Sequence, residues 1–190
     1  AHPYAEASIS RVVAQLGIAK GSVYQYFDDK ADLFCWLVAE GGRRRAAVAA
    51  DIPAGGSIWD RLRATYRAGA AQWVEDPRWA RIGLRVLEPT PEPRLRALRD
   101  QVHRATVAHL SSLLVQGQRA GDVRADVVVD RVVPLVRAVL GPGLLDAWLA
   151  RLGTELDVWM AEPGAVTEGE REALLAAADD AVDLLRRALS

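Results

Sequence analysis

The chain has one cysteine, one methionine and two phenylalanines in 190 residues, and only Lys20 and Lys30 of its 24 basic residues are lysines. A single thiol, Cys35, excludes an internal disulfide and any cysteine-rich metal site, and it fits a reducing compartment. The histidines build no metal centre: His103 and His109 are six apart, about 120° from each other round a helix, and His2 has no evident partner. No metal and no cofactor is expected. Arg or Asp interrupts every apolar run before it approaches the ~18 residues of a membrane span, and no signal-peptide pattern opens the chain. The expectation is a cytoplasmic protein with no membrane segment. No Ser/His/Asp set, phosphate-cradling glycine loop or paired-carboxylate motif occurs, which points away from an enzyme. Asp179 and Asp180 diverge as helix neighbours and read as a solvated face.

Period-two alternation hardly occurs outside short valine runs, so the fold class is all-α. At 20.6 kDa the chain exceeds the ~100–150 residues of one typical domain, so a small head and a larger body are expected. The clearest break is Asp51-Ile52-Pro53-Ala54-Gly55-Gly56, after which Ser57 can cap a helix. Body helices read as 57–75, 78–87, 92–119, 126–160 and 168–189, separated by Asp76-Pro77, Glu88-Pro89-Thr90-Pro91, Gly121-Asp122 and Glu162-Pro163-Gly164. Pro134 lacks a backbone donor and costs ~3 kcal/mol in a helix interior if uncompensated, and Gly141-Pro142-Gly143 bends the chain again. The 126–160 segment is therefore expected as two or three pieces.

What the chain does have is the stretch Ile9 to Phe27. Ile9, Val12, Val13 and Leu16 recur at helical spacing and form one apolar stripe. Gly17 ends that helix, because glycine enters the left-handed conformation without a steric penalty. Ile18 reads as an apolar plug for the corner. A second helix from Lys20 to Phe27 turns Val23 and Phe27 inward and Lys20, Gly21, Ser22, Tyr24, Gln25 and Tyr26 outward. A cation, hydroxyls, an amide and a bare backbone position suit phosphate oxygens and base edges. Helix, glycine, helix on spacing alone fits ordinary all-α packing equally well.

The residues separate those readings. Gly17-Ile18-Ala19-Lys20-Gly21-Ser22-Val23-Tyr24-Gln25-Tyr26-Phe27, with Lys30, Leu33 and Phe34 in register, closely resembles the signature of the TetR family of transcriptional regulators over roughly the first 35 residues. The resemblance implies a helix-turn-helix head of residues 1–45 and an effector-binding and dimerisation body of residues 46–190. It implies base contact by Ser22, Gln25 and Lys20, and backbone contact by Tyr24, Tyr26, Lys30 and Ser8. Ser8 replaces a threonine that the family carries one residue earlier, where this chain has Ala7. A first helix precedes this point in the family, so the stripe Ile9, Val12, Val13, Leu16 is expected to pack on a segment ahead of Ala1. Gly121-Asp122-Val123-Arg124-Ala125-Asp126 resembles the family's link to its long late helix.

Net charge is −1, and residues 1–47 hold six basic against five acidic residues, so attraction to DNA must be local. After Phe27, Asp29 reads as a helix cap with Asp32 three positions on. Asp28 and Asp29 oppose phosphate unless they are engaged as caps. Gly41-Gly42 is expected to interrupt the joining helix, and Arg43-Arg44-Arg45 reads as a solvated charge run.

Trp59, Tyr66 and Trp73 are spaced seven apart and face inward together, with ~20° of drift per step. The family body holds a small-molecule pocket, and flat aromatic walls suit a planar or hydrophobic effector; the candidates are Tyr66, Trp73, Trp79 and His103. Leu145, Trp148, Leu149, Leu152, Leu156 and Trp159, then Leu174, Leu175, Val182, Leu185 and Leu189, recur at helical spacing as core or as interface. The family dimerises through its two final helices, which implies Trp148, Leu149, Leu152, Leu156, Trp159, Leu175, Val182 and Leu185 at a homodimer interface. The expected function is a dimeric repressor that leaves double-stranded operator DNA when a small-molecule effector binds. A TetR-like activator or co-repressor-dependent regulator, and an all-α binding or catalytic protein with a structural helix-turn-helix, are the rivals.

Overall fold

The computed structural model describes residues 4–52, 55–86, 88–161 and 166–190, and these contain helices and no strand. A short 3-10 turn, Tyr4–Glu6, leads into α1 (Ile9–Leu16), α2 (Lys20–Tyr24) and α3 (Lys30–Ala50). The remainder is α4 (Ile58–Glu75), α5 (Pro77–Arg85), α6 (Pro93–Ala120), α7 (Val129–Ala138), α8 (Leu144–Leu152), α9 (Leu156–Ala161) and α10 (Glu168–Leu189). Pro53-Ala54, Glu162-Pro163-Gly164 and His2, three features of the sequence reading, lie outside the described residues.

Local chemistry sets most boundaries. Ser57 with Asp60, and Thr167 with Glu170, form capping boxes in which side chain and backbone satisfy each other at the starts of α4 and α10. Asp76-Pro77 and Glu92-Pro93 each put an acidic cap before a proline that has no donor to lose in the first turn. Gly121, at φ 81°, closes α6 in the left-handed region.

The late segment divides into three helices. Pro134 is carried on the exposed side of α7 without ending it. A π turn at Val139–Gly143 joins α7 to α8. Pro142 cannot donate to the Ala138 carbonyl, and a π turn lets the residue after it donate instead. Residue 143 is suited to that task, since a Cβ there would stand 3.1 Å from the Ala138 oxygen. A break that the sequence reading lacked falls at Gly153, φ 63°, between α8 and α9.

The body core is built on α10, which lies against α4 and α8. Trp59, Trp148, Leu114, Leu174 and Val182 are fully buried there. The two indoles are satisfied as well as enclosed: Trp59 Nε1 donates to the Asp122 carbonyl and Trp148 Nε1 to the Glu170 carbonyl, each at 3.0 Å. Trp148 also stacks edge-on to Trp159 at 5.0 Å and lies 6.3 Å from Trp73. Asp179 and Asp180 are ion-paired rather than merely solvated, Asp179 with Arg63 and Arg67 of α4 and Asp180 with Arg151 of α8.

The segment Val129–Leu152, mean hydropathy 1.5, is long and apolar enough to cross a membrane, contrary to the expectation of no such run. Here it is a core element: Val133, Val136, Leu140, Leu144, Trp148 and Leu149 are buried in the body.

Candidate nucleic-acid interface and body cleft

The head is organised by the turn at Gly17. Its φ is 66°, and the Ile18 N–H folds back to the Val13 carbonyl at 3.1 Å, which closes α1 and aims α2 away from it. Ile9 and Val13 are buried, whereas Val12, Leu16 and Ile18 are exposed, so Ile18 does not plug the corner. The second helix is one turn, Lys20–Tyr24, shorter than the Lys20–Phe27 expected. Val23 and Phe27 are half-buried, and Phe27 meets Trp36 edge-on at 5.7 Å.

Lys20, Gly21, Ser22, Tyr24, Gln25 and Tyr26 are all exposed, Tyr26 at 79%. Lys20 Nζ lies 5.6 Å from the Tyr24 ring centroid. Ser8 caps α1 by position but makes no side-chain cap bond. Lys30 is placed differently from the rest: its ammonium donates to the Tyr4 and Ala5 carbonyls at 2.9 and 3.2 Å and sits over the Tyr4 ring. It ties the segment before α1 to the start of α3.

Asp29 caps α3, accepting from the Asp32 N–H at 2.9 Å, and Asp32 in turn accepts from the Asp28 N–H. Both backbone groups are thereby occupied by local carboxylates. Arg94 of α6 also bonds Asp29 and holds its carboxyl below the usual aspartate range.

The joining helix is continuous. Gly41-Gly42 does not interrupt α3, which runs on to Ala50. Tertiary packing outweighs the glycine pair here: Gly41 is buried, and Trp79 of α5 lies 3.4 Å from where its Cβ would be, so α5 packs directly against this part of α3. Nor are the arginines simply solvated. Arg43 and Arg44 pair with Glu40, Arg44 also covers the Trp79 ring at 4.7 Å, and Arg45 lies at the cleft between α3 and α4.

That cleft has a volume of about 260 Å³, and its walls include Gly41, Arg44, Arg45, Gln72, Trp73 and Trp79. A smaller cavity of about 210 Å³ adjoins it and shares Arg45 and Gln72. Of the pocket candidates, Trp73 and Trp79 meet at the cleft. Tyr66 is half-buried against the core, where burial pushes its phenol up to about 12, and His103 is exposed on α6. Arg44, Arg45 and Gln72 were missed; once α3 is continuous, Arg45 follows Gly41 by one helical turn, and that spacing was the available signal.

Trp148, Leu149, Trp159, Val182 and Leu185 are occupied by the protomer's own core, with Leu152, Leu156 and Leu175 packed at its edge. The exposed large apolar side chains from α7 onward are Leu135, Val158 and Leu184.

A helix-turn-helix presenting a polar face, joined by one helix to an all-α body, is the architecture of a DNA-binding regulator. Residues 1–35 match the family model for bacterial regulatory proteins of the tetR family. A TetR-family transcriptional regulator from Chloroflexus aurantiacus is 25% identical, with a TM-score of 0.71 over 99% of this chain and 86% of that one. The fatty acid degradation regulator FadR from Bacillus halodurans has a TM-score of 0.71 at 17% identity, covering 96% and 86%. FadR from Bacillus subtilis, in complex with stearoyl-CoA, has a TM-score of 0.67 at 19% identity, covering 96% and 88%. None of the curated proteins compared with the chain matches it. The amino-terminal segment is thus similar to that of TetR-family regulators, and the whole chain shares their fold.

Proposed function

We propose that the chain is a ligand-responsive repressor that binds a palindromic operator as a dimer and is released when a small hydrophobic or aromatic effector enters the body. The observation that carries this reading is the continuity of α3, which starts beside α2 at the Asp29 cap and lines the tryptophan cleft at Gly41, Arg44 and Arg45. A ligand wedged against the second half of the helix displaces its first half, and with it the exposed face of α2. Effector binding then shifts the population toward a head spacing that no longer fits successive major grooves, ~34–36 Å apart. The ligand-bound state of the Bacillus subtilis relative supports a ligand role for this fold.

In this reading Ser22, Gln25 and Lys20 reach bases, while Tyr24, Tyr26 and Ser8 meet the backbone. The head is residues 1–45, the body residues 46–190, and α3 belongs mechanically to both. The twin copy docks on the outer faces of the late helices, where Leu135 and Leu184 are free, rather than on the enclosed Trp148 and Val182. Leu184→Arg should shift the chain from dimer to monomer in sedimentation while preserving its helical circular dichroism.

The deciding experiment selects DNA from a random pool with the full chain, then titrates the selected duplex by fluorescence anisotropy with and without candidate effectors. Salt-dependent, sequence-selective binding that an effector weakens supports the proposal. An effector that strengthens binding makes the protein a co-repressor-dependent regulator. Absence of selective binding returns the head to a structural role.

A further inference from the structure

We propose that the cleft between α3 and α4 takes an organic anion with a planar apolar body, its anionic group held by Arg45 and Gln72 and its body laid against Trp73 and Trp79. The proposal rests on reading this cleft as the effector site and adds the chemical class of the occupant.

The charges around the cleft decide the sign. Four charged residues line the larger cavity, namely Arg44, Arg45, Glu75 and Asp76. Two are already neutralised: Glu40 holds Arg44, and Arg78 holds Asp76 through two hydrogen bonds of 2.8 Å. Among the described residues Arg45 has neither an ion pair nor a hydrogen-bond partner. Its Nη1 stands 3.8 Å from where a Cβ at Gly41 or at Gly83 would lie, which places the guanidinium in contact with α3 and α5 beside the cleft. Although the residue as a whole keeps solvent access, the surrounding protein desolvates that group enough to lower its pKa. An unpaired, partly desolvated guanidinium attracts a carboxylate or another oxyanion, which it can bind through two parallel hydrogen bonds.

Position fixes the orientation. Arg45 and Gln72 border both cavities, and among the described residues Arg45 is the only charged one lining the smaller cavity, beside Thr65, Ala68 and Gly69. Glu75 borders only the larger cavity and repels an anionic group from that end. The anion therefore sits at the waist, with the apolar body toward the indoles. Gln72 is fixed for its part, because its amide donates to the Arg44 carbonyl at 3.0 Å and leaves the side-chain oxygen and one N–H available.

The test uses the full chain and two nearly isosteric probes, 2-naphthoate and the neutral 2-naphthamide, with affinities measured by isothermal titration calorimetry. The wild type should prefer naphthoate. Arg45→Gln should weaken naphthoate about tenfold or more while changing naphthamide little, as expected for loss of a charged hydrogen bond. Arg45→Lys should retain the preference for the anion. Equal losses for both probes in Arg45→Gln, or no naphthoate binding by the wild type, overturn the anion site. The effector reading is tested separately by adding saturating naphthoate to the chain on its selected DNA. An Arg45-dependent anion that leaves DNA affinity unchanged keeps the site and removes its regulatory role.

Discussion

Arg94, in the first turn of α6, bonds the Asp29 carboxylate that caps α3, so one ion pair connects the body to the end of the head. The pair lowers the Asp29 pKa, with the Arg94 hydrogen bond as the largest cause and the Asp32 N–H next, and raises that of Arg94. A carboxylate with a depressed folded pKa contributes stability above its unfolded value near 4, and that contribution disappears as pH falls through the folded value. Arg94→Ala should therefore raise the Asp29 titration midpoint toward the ordinary value, read by carboxyl carbon NMR. The shift should be incomplete, because the Asp32 N–H remains. Both side chains are half-exposed, so the melting temperature at neutral pH should move little.

Gln25 and the two lysines should separate cleanly in DNA titrations. Gln25→Ala should cost ~1–3 kcal/mol on the selected operator and relax preference at one base pair. Lys20 is exposed on α2, and Lys20→Ala should relax preference at the base it reaches and also flatten the salt slope by about one charge. Lys30 is engaged by the Tyr4 and Ala5 carbonyls, so Lys30→Ala should loosen the segment before α1 and change the salt slope less than Lys20→Ala does. Equal loss on operator and random DNA for Gln25→Ala would remove its reading role.

The parts of this structure that the sequence revealed are those specified within a few residues. Ser57, Asp76-Pro77, Gly17 and Gly121 start or stop helices through caps and backbone dihedrals that need no distant partner. Gly41-Gly42 does not break the helix because its local weakness is overridden by Trp79, 38 positions away in the chain, packing against it. The same long-range contact hid the cleft, since Arg45 reaches it only if α3 continues. Trp148 and Val182 present another limit: an apolar stripe must be covered, but its spacing does not say whether the cover is the same protomer or a second one. In the head the outward face from Lys20 to Tyr26 follows from local spacing, whereas the end of α2 at Tyr24 and the exposure of Ile18 do not.

Gly117 of α6 is a position where close packing should outweigh helix propensity. A Cβ there would stand 2.7 Å from Ile58 Cδ1 and 2.9 Å from Val123 Cγ2, both residues being buried. Alanine gains about 1 kcal/mol as a helix former, whereas overpacking costs ~1–3 kcal/mol. The carbonyl of Gly117 also accepts from the N–H groups of Asp122 and Val123 at 2.8 and 3.2 Å, which limits how far α6 can back away. Gly117→Ala should lower stability in urea unfolding, and adding Ile58→Val should recover part of the loss by withdrawing the nearest methyl. A stabilised single variant would show that Ile58 repacks freely.

Tyr66 provides an alkaline signature of the body core. Burial raises its phenol pKa to about 12, while the unfolded chain ionises near 10, so between those values the folded state binds the extra proton. The stabilising contribution is fully present below about pH 10 and is lost as pH rises through about 12, a change of at most about 2–3 kcal/mol for this half-buried side chain. Tyr66→Phe has no proton to lose at this site. Its unfolding free energy should fall less between about pH 9 and pH 12 than that of the wild type, and ultraviolet titration should lack the latest tyrosinate step. Tyr4, also shifted upward by burial, remains in both proteins and cancels in the comparison. Equal alkaline loss in the two proteins would mean that the Tyr66 hydroxyl is solvated, and that the core around it is more open to water than its packing indicates.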